Sequence, residues 1–199
     1  HFSGDLILAA RSPNGRLHAL LADATGHGLA AAMSVLPVVQ EFYRLVEQNE
    51  SLPGIIESIN FVLANSLPAG RFVAAGLVSL DESTRSGEVW VGGIPGVQMI
   101  DDGGALLRRF ESRNLPLGVT RDPEGINAFE HFTWTTHARL VMLSDGVVEA
   151  TSPKGEAFGD GRLALSLASP RSDDLIAHLR AALAAHLDTV PAHDDIPIL

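Results

Sequence analysis

The sequence predicts an α+β domain in which two sheets are flanked by two pairs of helices, and three observations predict it. Short apolar runs bounded by turn residues open the chain and fill its middle. Helical periodicity occupies the stretch from Gly28 to Leu67 and returns between Gly161 and Leu187. No internal repeat or long linker separates these regions, so one domain with one shared core is the economical arrangement. With 199 residues, 46% of them hydrophobic, the chain is long and apolar enough to bury that core.

The first element is a hairpin. Asp5 to Ala10 and Leu17 to Ala22 are apolar runs on either side of Ser12-Pro13-Asn14-Gly15, a strong turn signal. Antiparallel pairing sets the start of one strand beside the end of the other, which brings Asp5 near Asp23. The stretch from Leu17 to Ser34, LHALLADATGHGLAAAMS, then reads as a buried strand ending at Asp23, a Gly-His-Gly turn and a helix starting at Gly28. Leu29, Met33, Leu36, Val39, Phe42 and Val46 recur at helical spacing as far as Asn49, with a kink expected at Pro37. After Ser51-Leu52-Pro53, residues Ile55, Ile56, Ile59, Val62 and Leu63 mark a second amphipathic helix, ended by Pro68 and Gly70.

The period then changes. Phe72 to Leu80, Glu88 to Val91, Val97 to Ile100 and Leu106 to Phe110 read as a β-meander. Its loops, Asp81 to Gly87 and Asp101 to Gly104, carry acidic residues expected to be solvated. Leu115 to Val119 is a rigid crossing segment, and Asn127 to Thr135 with Arg139 to Leu143 reads as another strand pair. That pair ends at Ser144-Asp145-Gly146, where the opening pattern repeats: an apolar run delivers an aspartate to a glycine turn. Val147 to Ala150 is a short helix or turn, and Gly161 to Ala168 and Asp173 to Leu187 are helical, the latter with Leu175, Ile176, Leu179, Leu183 and Leu187 on one face. Asp194 and Asp195 stand ahead of a last strand beginning at Ile196.

Composition narrows the function. The chain has no cysteine, which excludes disulfides and thiolate metal sites and favours a cytoplasmic setting. A net charge of −10 argues against sequence-independent nucleic-acid binding, which needs Lys and Arg to displace counterions. Asp23, His27, Arg139 and Asp145 interrupt the longest apolar runs before the roughly 18 residues a membrane span needs, so no membrane partner is expected. An upstream segment is expected ahead of His1. There is no G-x-S-x-G elbow and no phosphate-binding P-loop.

What remains is acidic. Asp5, Asp23, Asp145 and either Asp194 or Asp195 each sit where a strand meets a turn. The Asp23 turn alone fits a strand, a glycine turn and a helix with no chemistry, so the other carboxylates decide. Two carboxylates about 4 Å apart repel by roughly 4 kcal/mol at an effective dielectric near 20, which makes a cluster costly unless cations bind. The Asp23 carboxylate and the Ala24 carbonyl are hard oxygen donors suited to Mg²⁺ or Mn²⁺. Two divalent ions bridged by Asp23 would lower the pKa of a shared water and clamp the oxygens of an in-line phosphoryl displacement.

The ordered motifs Ser3-Gly4-Asp5, Asp23-Ala24-Thr25-Gly26-His27-Gly28, Asn114-Leu115-Pro116-Leu117-Gly118, Ser144-Asp145-Gly146 through Glu149-Ala150, GEAFG at 155–159 and Asp194-Asp195-Ile196 resemble those of bacterial SpoIIE-type serine phosphatases. These are a branch of the metal-dependent, protein phosphatase 2C-like superfamily, and the match spans essentially the whole chain. The resemblance implies a four-layer α-β-β-α sandwich with two mostly antiparallel sheets and a two-metal site, Mn²⁺ or Mg²⁺, at one end. It implies Asp23 as bridging ligand, Ala24 as carbonyl ligand, Asp145 and Asp194 as ligands of the other ion with Asp195 alongside, and Asp5 beside the first ion. Asp23, Asp145 and Asp194 are then the catalytic set. The chain departs from the family at Leu8, where a second aspartate is common, at Gly92-Gly93-Ile94-Pro95, where Ala-Gly-His-Pro is common, and at Pro197, where a hydroxyl residue is usual.

The remaining polar candidates have structural readings. His27 shapes its turn rather than the chemistry. His131, His137, His178 and His186 lack partners at metal spacing and read as surface or satisfied histidines. Arg71, Arg108 and Arg113 suit phosphate by chemistry but read as solvated loop charge. The helix Leu52 to Leu67 resembles a regulatory switch helix, although its apolar stripe also serves a core. Two functions follow from the resemblance. One is a phosphatase acting on a phosphorylated anti-sigma-factor antagonist or related regulatory protein, with a homodimer formed through an upstream segment. The other is a weakly active or inactive adaptor that binds a sigma factor or its regulator, as at the end of some response regulators.

Overall fold

Strands β1 (Asp5–Arg11) and β2 (Leu17–Ala24) pair antiparallel, and their register sets Asp5 directly opposite Asp23. The computed structural model describes residues 4–26, 28–135, 137–168 and 175–188. From β2 the first sheet extends through β3 (Val73–Asp81), β4 (Ser86–Gly92) and β7 (Phe129–Thr133), in the order β1-β2-β3-β4-β7. A second sheet has the order β6-β5-β8, built from β5 (Val97–Asp101), β6 (Leu106–Phe110) and β8 (Ala138–Val141). All pairings in both sheets are antiparallel.

Two sequence expectations are corrected here. The middle strands are not one meander, because the chain leaves the first sheet after β4 and starts the second with β5. Likewise β7 and β8 do not pair with each other: β7 lies against β4 and β8 against β5. Local periodicity identifies a strand but not its neighbour, which is chosen by the surface each strand can bury. The crossover after β4 depends on glycine. Gly93 has φ +86°, and a Cβ there would lie 2.7 Å from Pro116 and 3.0 Å from Ala74.

Alternation along the strands separates two faces. Leu8, Leu20, Ala22, Ala24, Val73, Ala75 and Leu77 bury against the helices α1 (Leu29–Glu47) and α2 (Leu52–Ser66). Ala19, Leu21, Val78, Val89 and Val91 turn the other way and meet Val97, Met99 and Phe110 of the second sheet. Beneath that sheet, Ile100, Val141 and Leu143 pack on α3 (Asp145–Glu149), α4 (Gly159–Leu167) and α5 (Leu175–Leu187) through Val147, Leu163, Leu167, Leu179 and Leu183. The four layers are therefore α-β-β-α, as the resemblance implies.

Helix α1 corrects two further expectations. Its buried face is Ala31, Val35, Val38, Phe42, Leu45 and Val46, whereas Leu29, Met33 and Leu36 are 58%, 59% and 56% exposed. Small residues conceal the true face: Ala31 packs so closely that a Cβ on Gly4 would lie 3.0 Å from its own Cβ. The helix runs unbroken through Pro37. It is also 19 residues long with a mean hydropathy of 1.3, enough by length and composition to cross a membrane, contrary to the expectation that no run reached that size. One face of it belongs to the core with α2 and the first sheet. Helix α2 starts at Ser51, whose hydroxyl accepts from Gly54 N–H at 3.2 Å.

Candidate metal centre

The site lies at the end of the sandwich where β2 runs out. Asp23 occupies the last position of β2 that faces the second sheet, since Leu21 two residues earlier is in the inter-sheet core and Ala22 and Ala24 face the helices. Asp5, opposite it, shares that face. The ladder closes one residue further on, with Ala24 N–H donating to the Gly4 carbonyl at 3.2 Å. A Cβ on Gly4 would stand 2.9 Å from the Ala24 carbonyl oxygen, so glycine is what lets the chain pass this point.

From the opposite sheet, β8 continues through Met142 and Leu143 to Ser144, which precedes α3 and places Asp145 at that helix's first position. Asp23 and Asp145 then line one cleft of about 420 Å³, together with Ala24, Thr25, Gly26, Phe72, Ala74, Gly93 and Pro116. Two aspartates 122 positions apart in sequence (145 − 23) meet there because one lies at the end of β2 and the other begins the helix that follows β8, at the same end of the sandwich. Among the described residues the lining holds no lysine or arginine, and its polar side chains are oxygen donors. That donor set fits a hard divalent cation such as Mg²⁺ or Mn²⁺. Among the described residues no group of three or more His, Cys, Asp or Glu side chains is close enough to form a complete site. Asp194 and Asp195, expected to supply the rest, lie outside the described residues, as do His27, Ser3, Pro197 and the strand expected from Ile196.

The cleft wall is held by two buried asparagines, Asn114, which opens a family motif, and Asn60, which sequence reasoning missed. Asn114 Nδ2 donates to the carbonyls of Val91 (3.0 Å) and Ala128 (2.9 Å), while its Oδ1 accepts from Ala128 N–H at 2.9 Å. Asn60, on the apolar face of α2, donates to the Thr120 carbonyl at 2.9 Å and accepts from Gly118 N–H at 2.8 Å. Together they fasten the crossing segment that carries Pro116 into the cleft. The available signal for Asn60 was a lone amide within an apolar stretch, Ile59-Asn60-Phe61.

Arg71 is also better placed than the sequence suggested. Its guanidinium donates to the Thr25 carbonyl and reaches within 2.1 Å of where a Gly26 Cβ would be, so the glycine admits it to the cleft rim. Arg108 and Arg113 stand by Glu130 at 2.8 Å and 3.9 Å, in keeping with surface charge. His131 pairs with Glu88 at 3.2 Å, and His186 Nε2 meets the carbonyls of Ala150 and Glu156 at 3.2 Å and 3.0 Å. The loop acids serve their own turns: Asp81 accepts from Ser83 and Thr84, and the Ser83 hydroxyl, followed by the Thr84 N–H, holds its carboxyl below the usual range. Asp101 likewise accepts from Gly103 and Ala105 N–H at 2.8 Å each.

Residues 13–199 match the family model of stage II sporulation protein E (SpoIIE). The chain belongs to the SpoIIE family. This SpoIIE-family domain superposes on the SiaA-PP2C domain of Pseudomonas aeruginosa with TM-score 0.83 at 20% identity, over 98% of this chain and 79% of that one. It superposes on the PP2C phosphatase domain with a regulatory fragment of SpoIIE from Bacillus subtilis with TM-score 0.84 at 17% identity, over 100% of this chain and 58% of that one. RsbX, whose crystal structure is a complex with magnesium, gives TM-score 0.69 at 16% identity over 100% of this chain and 86% of that one. No curated protein sequence matches. These likenesses establish the PP2C-like fold, and family membership places the chain among PP2C-type phosphatase domains.

The departures from the family pattern have packing reasons. Leu8 is three positions from Asp5 on an alternating strand, so it faces the helices and is 6% exposed in their core. A carboxylate there could not join Asp5. Ile94 is buried in the inter-sheet core, where its Cδ1 lies 2.7 Å from where a Gly76 Cβ would be.

Proposed function

We propose that this domain is a metal-dependent phosphoserine or phosphothreonine protein phosphatase, acting in the bacterial cytoplasm on an anti-sigma-factor antagonist. The observation that carries this reading is the convergence of Asp23 and Asp145 in one cation-compatible cleft of a SpoIIE-family fold. Asp23, the Ala24 carbonyl and Asp5 would hold one side of a metal pair, and Asp145 with Asp194 and Asp195 the other. When bound, two Mn²⁺ or Mg²⁺ ions supply a nucleophilic water of lowered pKa and neutralise the phosphoryl oxygens.

The chain's own residues do the rest. Asp23 and Asp145, fixed at strand ends, bring negative charge to one place. Arg71, a planar donor at the rim, suits the oxygens of an incoming phosphoester. Pro116 and Gly93 contribute lining without polar side chains to the same cleft. The packing reasons for Leu8 and Ile94 mean that neither residue replaces a ligand, which favours the enzyme over the adaptor. The test is Mn²⁺-dependent release of phosphate from p-nitrophenyl phosphate and from a phosphoserine peptide. Activity with both, lost with chelator, supports the reading. No release from either would favour the adaptor.

A further inference from the structure

At the end of the sandwich remote from Asp23 the two sheets do not close on each other. A pocket of about 320 Å³, open to solvent at its mouth, lies between them, lined by Ala19, Val78, Met99, Phe132, Trp134 and Met142 among others. We propose that this cavity is a binding site for a compact uncharged apolar molecule of one to two rings. Its volume is about twice that of the ~150 Å³ apolar cavity that suffices for benzene. Its lining has one ionisable residue, Glu82, and that carboxylate is engaged by Arg11 at 2.7 Å. A charged ligand would therefore find no free counter-charge, and a neutral apolar one loses nothing by entering.

The walls are adaptable. Met99 and Met142 both come from the second sheet, on the neighbouring β5 and the continuation of β8, and thioether side chains repack around irregular ligands at low cost. Phe132 and Trp134 stand 6.0 Å apart between ring centroids and offer aromatic surface on one side. Ala19 and Ala138 leave space on the other, where larger residues would fill it. The site is separate from the phosphatase cleft: the two linings share no residue.

The chain carries three methionines, which gives a direct test. Met99 and Met142 line the cavity, whereas Met33 is exposed on α1. With ¹³C-methyl methionine and titration of n-butylbenzene, the Met99 and Met142 signals should shift saturably while Met33 stays in place. Ala138→Phe, which fills the cavity, should weaken binding at least tenfold, and Ala138→Leu should act in the same direction should the larger residue fail to fold. Three outcomes overturn the proposal: no shift up to the solubility of the probe, equal shifts of all three methyls, or binding undiminished in a folded cavity-filling variant. Met99 and Met142 shifts that instead follow protein concentration without probe, with a dimer by ultracentrifugation, would also overturn it and give the cavity to a second copy.

Discussion

Asp5 and Asp23 face each other across the β1–β2 ladder, two carboxylates in register on the face that looks toward the second sheet. Like charges in that relation destabilise a hairpin, and a divalent cation between them turns the same arrangement into a favourable one. Most of the predictions below follow from this pair and from Asp145 across the cleft.

Metal should stabilise the fold. Unfolding separates the strand ends and disperses the donors, so Mn²⁺ at a hundred times its dissociation constant should add about 2.7 kcal/mol. Thermal unfolding in excess Mn²⁺ and in chelator measures this, and identical midpoints would refute a metal site built on these aspartates.

Asp23→Asn preserves size and removes the charge proposed to serve both ions. Phosphate release should fall to background while circular dichroism stays unchanged. Asp145→Asn should impair release through one ion alone, leaving part of the Mn²⁺ stabilisation. Turnover at the parent level in Asp23→Asn would make the aspartates structural.

Gly4→Ala tests the Ala24 carbonyl. The added methyl would stand 2.9 Å from that oxygen and 3.0 Å from the Ala31 side chain, so strand or helix must shift. Weaker Mn²⁺ affinity at modest loss of stability is the expected result, read by metal titration of the folded variant.

Leu8→Asp should not restore a family ligand. The new carboxylate would enter the core shared by β1, α1 and α2, at a cost of several kcal/mol. Chemical denaturation should show a large loss of stability with no gain in metal binding.

Acid should weaken the domain through His18. The ring is buried, Nδ1 has no hydrogen-bond partner among the described residues, and burial, with Arg16 nearby, lowers its pKa from 6.5 to about 4. Between those values the unfolded chain binds the proton and the folded one does not. Stability contributed here is thus complete above pH 6.5 and is lost as pH falls toward 4, by up to about 3 kcal/mol. His18→Gln should flatten that part of the profile in urea denaturation measured from pH 4 to 7, and an unchanged slope would contradict the assignment.

The sequence by itself determined the local events: the hairpin that pairs Asp5 with Asp23, the glycine turn after it, the extents of α1 and α2 to within a few residues, and the second strand whose continuation leads to an aspartate. These are legible because turn chemistry and period act over short distances. Only the tertiary structure decided which strand lies beside which, so that β7 left β8 for β4 and the supposed meander divided between two sheets. It also decided which stripe of α1 is inside, since Ala31 and Gly4 admit a close approach that side-chain size alone does not announce. Likewise the meeting of Asp23 with Asp145 exists only once the two sheets stack, and the entry of Arg71 beside Gly26 and the anchoring of the Pro116 segment by Asn60 and Asn114 only once the loops and α2 pack on the first sheet. The reason is physical: these contacts join residues remote in sequence, and their geometry is set by which apolar faces can be buried together, a property of the whole chain and of no single segment.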